Sequence, residues 1–293
     1  MRPITIALHG GAGNLARYVG TGRLEEAEQF LSSLIDNSYS MLERGAAALD
    51  VVTEACVAME NSALFHAGRG SSPNTKAYYE CDASIMDGNK LRAGAIAAVR
   101  TVKNPILAAR HVMEHTKHVL FVATEAEELA RSAGLDLVDE TYYQPCDTAA
   151  IRSDAEDPNR GTVGAIALDT AGHVAAATTT GGTLRKTAGR VGDTPILGAG
   201  TYAVDGIGAV SCTGVGEYFI RTAAAHSVIA RMQLLGEPVG TSSGAVMTSI
   251  TALGGEGGLI AIDGRGAVAM PFSTKGMYRA MRTSRGERLV AAL

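Results

Sequence analysis

At 293 residues and 30.2 kDa, the chain has room for one large domain or two small ones, at roughly 100–200 residues each. Apolar residues make up 46% and charged residues 19%, which excludes a disordered chain or a coiled coil. Lysine and arginine total 26 against 30 acids, a net charge of −4, so no basic field is present to hold nucleic acid or an anionic membrane.

The start, MRPITIALHGGAG, lacks a basic segment followed by an apolar stretch and a cleavage site, and no run of about 18 apolar residues follows, so the cytoplasm is the expected location. Ile4–Leu8 alternates as a short strand and leads into His9-Gly10-Gly11-Ala12-Gly13, a glycine loop where backbone amides can converge. Leu24 to about Asn61 carries two amphipathic helices broken near Gly45. Asp82–Asp87 and Leu91–Val99 flank Asp87-Gly88-Asn89-Lys90, which predicts a hairpin. Pro105–Thr116 is expected helical, His118–Ala123 extended and Thr124–Ala133 helical.

Between Val138 and Gly161 the pattern dissolves into a stretch with two prolines and six acids, expected to be an exposed linker over about 139–161. From Thr162 two strands, VGAIALD and HVAAATT, are joined by the turn Thr170-Ala171-Gly172. Ile207–Thr213 reads as a strand, Gly214–Leu235 as one long helix, and GLIAIDGRGAVAMPF as a hairpin about Asp263-Gly264. Strands in both halves with helices between favour sheets covered by helices. Glycine is unusually frequent, 35 residues against a usual share near 7%, so tight turns and close backbone approaches are expected. Cys56, Cys81, Cys146 and Cys212 lie far apart with no C-x-x-C pair, the pattern of reduced, mostly buried thiols.

Several motifs invite other chemistry. Gly240-Thr241-Ser242-Ser243-Gly244 fits G-x-S-x-G, but an esterase of that kind needs its triad histidine after the serine, and the last histidine is His226. Gly198-Ala199-Gly200 fits a loose dinucleotide fingerprint, yet Asp205-Gly206-Ile207-Gly208 breaks the helix it would require. His111, Glu114, His115 and His118 could share a helical face and hold a metal; a solvated surface accounts for them as well. In Gly161-Thr162-Val163-Gly164, a threonine opens a strand right after the polar linker. An N-terminal threonine is both nucleophile and base, because its α-amine, with a pKa of about 7.7–8.0, accepts its hydroxyl proton.

HGGAG at 9–13, FHAGRGS at 65–71, DASIMDG at 82–88, GTVGAIALD at 161–169, TTTGG at 178–182, GRVGDTPILGAGTYA at 189–203 and SCTGVGEYFIR at 211–221 together resemble the plant-type asparaginase and isoaspartyl peptidase family of N-terminal nucleophile hydrolases. The resemblance implies a four-layer αββα sandwich of the Ntn-hydrolase type, one α/β (α+β) domain over 1–293 that cuts itself between Gly161 and Thr162 into an α segment, 1–161, and a β segment, 162–293. It implies Thr162 as nucleophile, Thr180 as the hydroxyl supporting it, and Thr213 and Gly214 as oxyanion donors. Arg190 would take a substrate α-carboxylate and Asp193 its α-ammonium, a fork-shaped cation beside an anion, with Gly216 alongside. Where the family has asparagine in FNAG this chain has His66, which brings a titratable ring near the nucleophile. A structural sodium ion would fall on the carbonyls of Met59, Glu60, Ser62, Phe65, Ala67 and Arg69; the chemistry itself needs no cofactor. The implied activity is hydrolysis of β-aspartyl dipeptides or L-asparagine by a dimer of the cut pair, (αβ)2. The alternatives are a binding or scaffold protein that never matures, and a glycosylasparaginase-like amidase.

Overall fold

The computed structural model describes residues 2–143 and 161–293. Among the described residues, twelve strands form two sheets. The larger runs in the order β12 (Arg288–Ala291), β11 (Met277–Thr283), β1 (Thr5–Ala12), β5 (Thr162–Leu168), β6 (Val174–Thr180), β2 (Cys81–Asp87), β3 (Arg92–Val99) and β4 (Leu120–Val122). The smaller runs β10 (Val268–Ala269), β9 (Gly257–Asp263), β8 (Gly208–Gly214) and β7 (Thr201–Val204).

Helices α1 (Arg23–Glu43), α2 (Ala48–Asn61), α3 (Pro105–His115) and α4 (Ala123–Ser132) cover the outer face of the larger sheet. Helices α5 (Gly216–Thr222), α6 (Ala224–Leu235) and α7 (Val239–Ala252) pack with the smaller sheet. The result is the four-layer αββα sandwich, with both faces of the central strands buried. Strands buried on two faces read as continuous apolar runs: in β5, Val163, Ala165 and Ala167 join the core under the helices, while Ile166 and Leu168 join the core between the sheets. Each fully buried aliphatic side chain contributes about 1.5–3 kcal/mol.

The expected hairpins form, β2 with β3 and β9 with β10. Both early helices form, and the chain turns between them at Gly45 with φ 88°. Three expectations need correction. The glycine run after Leu8 is not a loop, since β1 continues to Ala12 with a bulge between His9 and Gly11 against β11. The helix expected over 214–235 is two, because Ala223 takes a left-handed φ of 45° between α5 and α6. The rejection of GTSSG as a nucleophile elbow holds, since it sits inside α7, where the Ser243 hydroxyl donates to Val239 O. Finally, residues 138–143 belong to the fold: Val138 N donates to Thr101 O, and buried Tyr143 donates its hydroxyl to Val102 O. The rest of the expected linker, with Cys146, lies outside the described residues. Cys56, Cys81 and Cys212 are free and buried.

Candidate active site

Antiparallel pairing of β5 with β6 puts Thr162 directly across from Thr180, and both are buried. The Thr162 hydroxyl donates to Thr180 Oγ1 at 3.3 Å, and Gly182 N donates to the same oxygen at 3.0 Å. Thr180 in turn donates to the Gly161 carbonyl at 2.7 Å. A hydroxyl has one proton, so these contacts fix its direction: Thr180 polarises the carbonyl that precedes Thr162. Gly161 holds φ 101°, and a Cβ there would stand 1.8 Å from His66 Cβ, so only glycine fits this approach.

His9 lies on β1 beside β5, wholly buried. Its Nδ1 is 3.0 Å from the Thr162 carbonyl and its Nε2 is 2.8 Å from Ser211 Oγ. Burial pushes its pKa down to about 3, against the opposing pull of the Thr162 carbonyl, so the ring is neutral. A carbonyl only accepts, which puts the single proton on Nδ1 and leaves Nε2 to accept from Ser211. Ser211 then accepts from Thr178 at 2.8 Å and Thr178 from Thr201, while Ser84 Oγ lies 2.8 Å from Thr201 Oγ1 and gives its own proton to the Thr194 carbonyl. All five partners of this file are buried between the sheets. Gly164 makes room for it: a Cβ there would stand 2.0 Å from Ser211 Oγ and 2.4 Å from His9 Nε2. Sequence reasoning found HGGAG but gave His9 no role, because Ser211 comes 202 residues later.

Beside Thr162 a cleft is lined by Gly161, Thr180, Arg190, Asp193 and Gly214. Asp193 is buried, and among the described residues its Oδ2 has no hydrogen-bond partner. Burial raises its carboxyl to about 7, with Arg190 opposing. Arg190 does not pair with Asp193 through its fork; Nε and Nη2 each reach Glu217 at 2.8 Å. That bond is the main reason the Glu217 carboxyl lies below its usual range. Glu217, within the GVGEYFIR stretch, was not singled out from sequence. A Cβ on Gly216 would stand 2.6 Å from Asp193 Oδ1 and 3.1 Å from Arg190 Nη2, so the missing side chain keeps this corner open. The corner can hold an ammonium at the unpartnered carboxylate oxygen and a carboxylate at the guanidinium.

Gly214 forms a wall of the same cleft at φ 146°. Thr213 is not part of that wall; its buried Oγ1 accepts from Ala12 N at 3.3 Å, which leaves the hydroxyl proton for another acceptor. His66 faces a second cleft on the far side of Gly161; its Nδ1 meets Ser72 Oγ at 2.7 Å and its carbonyl accepts from Gly181 N at 2.8 Å. The Glu60 side chain clamps Thr179, Asn104 and Ile106 N, and burial raises its carboxyl to about 7. Rings of His111 and His115 stack at 4.4 Å, His118 meets Phe121 edge-on, and no cluster of metal-binding side chains occurs among the described residues. No helix among them is long and apolar enough to cross a membrane.

Comparison with known proteins points the same way. The model of a protein family described as asparaginase matches residues 1–291. The chain is 45% identical to the isoaspartyl peptidase of Salmonella typhimurium, over 96% of this chain and 95% of that protein. It is 44% identical to the isoaspartyl peptidase of Escherichia coli, over 96% and 93%. To a probable isoaspartyl peptidase/L-asparaginase 2 of Arabidopsis thaliana it is 36% identical, over 98% of each chain.

Proposed function

The chain belongs to the asparaginase family, and from that premise we propose how its site works: a hydrolase that releases aspartate from β-aspartyl dipeptides and L-asparagine, with Thr162 as nucleophile. Neither a silent scaffold nor a glycosylasparaginase-like amidase is favoured by relatives that carry isoaspartyl peptidase names. The observation that carries the mechanism is the Thr180 hydroxyl bridging Thr162 Oγ1 and the Gly161 carbonyl.

Maturation comes first. Thr162 Oγ1 attacks the Gly161 carbonyl carbon while Thr180 steadies the developing oxyanion; collapse breaks the Gly161–Thr162 C–N bond, the nitrogen taking up the hydroxyl's proton to become the α-amine, and water then cleaves the ester to free the Thr162 hydroxyl. That amine then serves as the base for each turnover. Asp193 takes the substrate's α-ammonium and Arg190 its α-carboxylate, which leaves the β-carbonyl before Thr162. The Gly214 amide and the Thr213 hydroxyl supply oxyanion donors, each worth about 100- to 1000-fold in rate. The acyl-enzyme ester is resolved by water.

The sodium ion belongs to the same proposal. A Cβ on Gly70 would stand 2.0 Å from Phe65 O and 3.3 Å from Ala63 O, so the loop closes its carbonyls over a bare backbone. The carbonyls of Phe65 and Ala67 accept from the Ala67 and Gly70 amides and keep a lone pair for a hard cation, whereas the Met59 carbonyl takes both the amide and the hydroxyl of Ser62 and would have to give one up. With Glu60, Ser62 and Arg69 they would brace the loop that carries His66. Assembly as (αβ)2 and a cytoplasmic location, which free buried thiols suit, complete the proposal. A denaturing gel followed over time, with aspartate release measured on β-aspartyl dipeptides and asparagine, tests it. Two fragments and aspartate are expected; full-length chain with undiminished turnover would overturn the nucleophile assignment.

A further inference from the structure

Glu217 steadies the guanidinium of Arg190 at its outer end, but the backbone root of that side chain hangs on residues from before the Gly161–Thr162 junction. Glu80, immediately before β2, is 4% exposed, and its carboxylate takes Gly189 N with Oε1 at 2.9 Å and Oε2 at 3.2 Å. Gly189 directly precedes Arg190, holds φ 84°, and stands in a turn closed by Arg190 N donating to Thr187 O at 2.9 Å. Asn74, equally buried, donates through Nδ2 to Glu80 Oε2 at 2.8 Å, while its Oδ1 accepts from Lys76 N and Tyr78 N. The Glu80 carbonyl accepts from the buried Lys186 ammonium at 2.9 Å. Arg185 N donates to Pro73 O and Thr75 N to Lys186 O, so the whole turn is tied to the stretch that leads into β2.

Both oxygens of Glu80 act only as acceptors, one toward a backbone amide that must donate and the other toward an Asn74 amide whose own oxygen is already committed. An isosteric amide in place of the carboxylate would set an NH2 against one of these two buried donors, and a buried donor left unpaired is unfavourable. Asp193 is fixed from the same strand, since the carbonyl of Thr194 beside it accepts from Ser84 Oγ on β2 at 2.5 Å. One strand thus holds the roots of both charges that face the head-group corner.

Resting on the head-group roles proposed above for Arg190 and Asp193, we infer that Glu80 is a positioning residue for substrate recognition: it holds the turn that sets where Arg190 stands, and with it the spacing from guanidinium to Asp193 that an α-amino acid must match. It touches neither substrate nor the reacting atoms. Fragment formation uses Thr162, Thr180 and Gly161 and does not draw on this spacing. Displacing a positioned group by about 1 Å costs up to about 100-fold, and here the loss falls on substrate binding.

The test exchanges donor and acceptor across the Asn74–Glu80 pair. In Glu80→Gln, KM for β-aspartyl-leucine and the Kd for L-aspartate should rise about tenfold or more, while fragment formation, followed by intact mass, keeps its wild-type rate. Asn74→Asp combined with Glu80→Gln reverses the pair, because the new carboxylate accepts from the new amide, whose oxygen still takes Gly189 N; KM should return close to the wild-type value. Wild-type KM in Glu80→Gln, or a raised KM that the double substitution leaves unrepaired, overturns the role. So does a loss of fragment formation in step with KM, which a general loosening of the fold would give. Should Glu80→Gln fail to fold, the double variant decides alone: wild-type affinity for L-aspartate supports the role, and weakened affinity overturns it. Arg190→Ala, measured alongside, tests the premise separately: unchanged affinity for L-aspartate there strikes the head-group reading, and the role of Glu80 with it.

Discussion

His9 Nδ1 meets the Thr162 carbonyl at 3.0 Å, so a side chain 153 residues upstream grips the backbone of the proposed nucleophile. The contact is made inside the core, by a neutral ring whose other nitrogen is saturated by Ser211. Its role is to position: it touches neither substrate nor the reacting atoms.

The two ring nitrogens make the role separable. His9→Asn keeps a donor where Nδ1 stands, whereas His9→Gln places its amide where Nε2 stands and leaves the Thr162 carbonyl buried and unpaired. An unsatisfied buried acceptor costs about 1–3 kcal/mol, so kcat should fall about tenfold or more in His9→Gln, with KM little changed and fragment formation slowed. His9→Asn should recover much of that loss. Equal kcat for the two variants at matched melting temperatures would show a packing role alone.

Thr162→Ala should abolish both fragment formation and turnover. Thr180→Ser should retain both, while Thr180→Val, which preserves shape and deletes the hydroxyl bridging Thr162 and Gly161, should slow fragment formation by two orders of magnitude or more. Intact-mass spectra over time read the outcome.

Arg190→Ala should leave fragment formation intact and remove activity on β-aspartyl substrates. Glu217→Gln is a milder change, because the Glu217 side chain is 54% exposed and such pairs contribute only about 0–1 kcal/mol. A KM rise of less than about fivefold with unchanged kcat is expected. Steady-state kinetics on β-aspartyl-leucine separate the two.

Asp193 carries a pH signature. In the unliganded site burial raises its carboxyl to about 7, and the neutral form cannot hold an ammonium. Affinity for L-aspartate should therefore weaken as pH falls through about 7. Binding near that pH should release a proton, seen calorimetrically as an enthalpy that depends on the buffer. Because the folded value lies above the ordinary 3.8, the stability this group contributes is present below that value and is lost as pH rises towards 7. A pH-independent affinity would remove Asp193 from the head-group site.

Local signals carried much of the fold. Helices α1 and α2 show in their apolar spacing, the β2–β3 hairpin in its turn residues, and the β5–β6 pair in two apolar runs about a short turn. The misses have tertiary causes. Strand β1 runs on through its glycines to Ala12 because β11 pairs with Gly11 and Ala12 beyond the bulge, and β11 itself interleaves Arg279 and Arg282 where an apolar run would signal a strand. Ala223 breaks a helix in a left-handed conformation that alanine does not advertise. At the site, Thr162, Arg190 and Asp193 were legible through motifs. His9, Ser211 and Glu217 were not, because their roles arise from partners far off in the chain.

The strand order of the larger sheet sets a limit on what self-severing could do. From one edge it reads two strands from beyond Thr162, one from before Gly161, two more from beyond, then three from before. The two pieces would be interleaved like the fingers of clasped hands, each completing the other's hydrogen-bond ladder. A cut at that junction would release a terminus without releasing a subunit, and neither piece synthesised alone would possess the whole of the larger sheet.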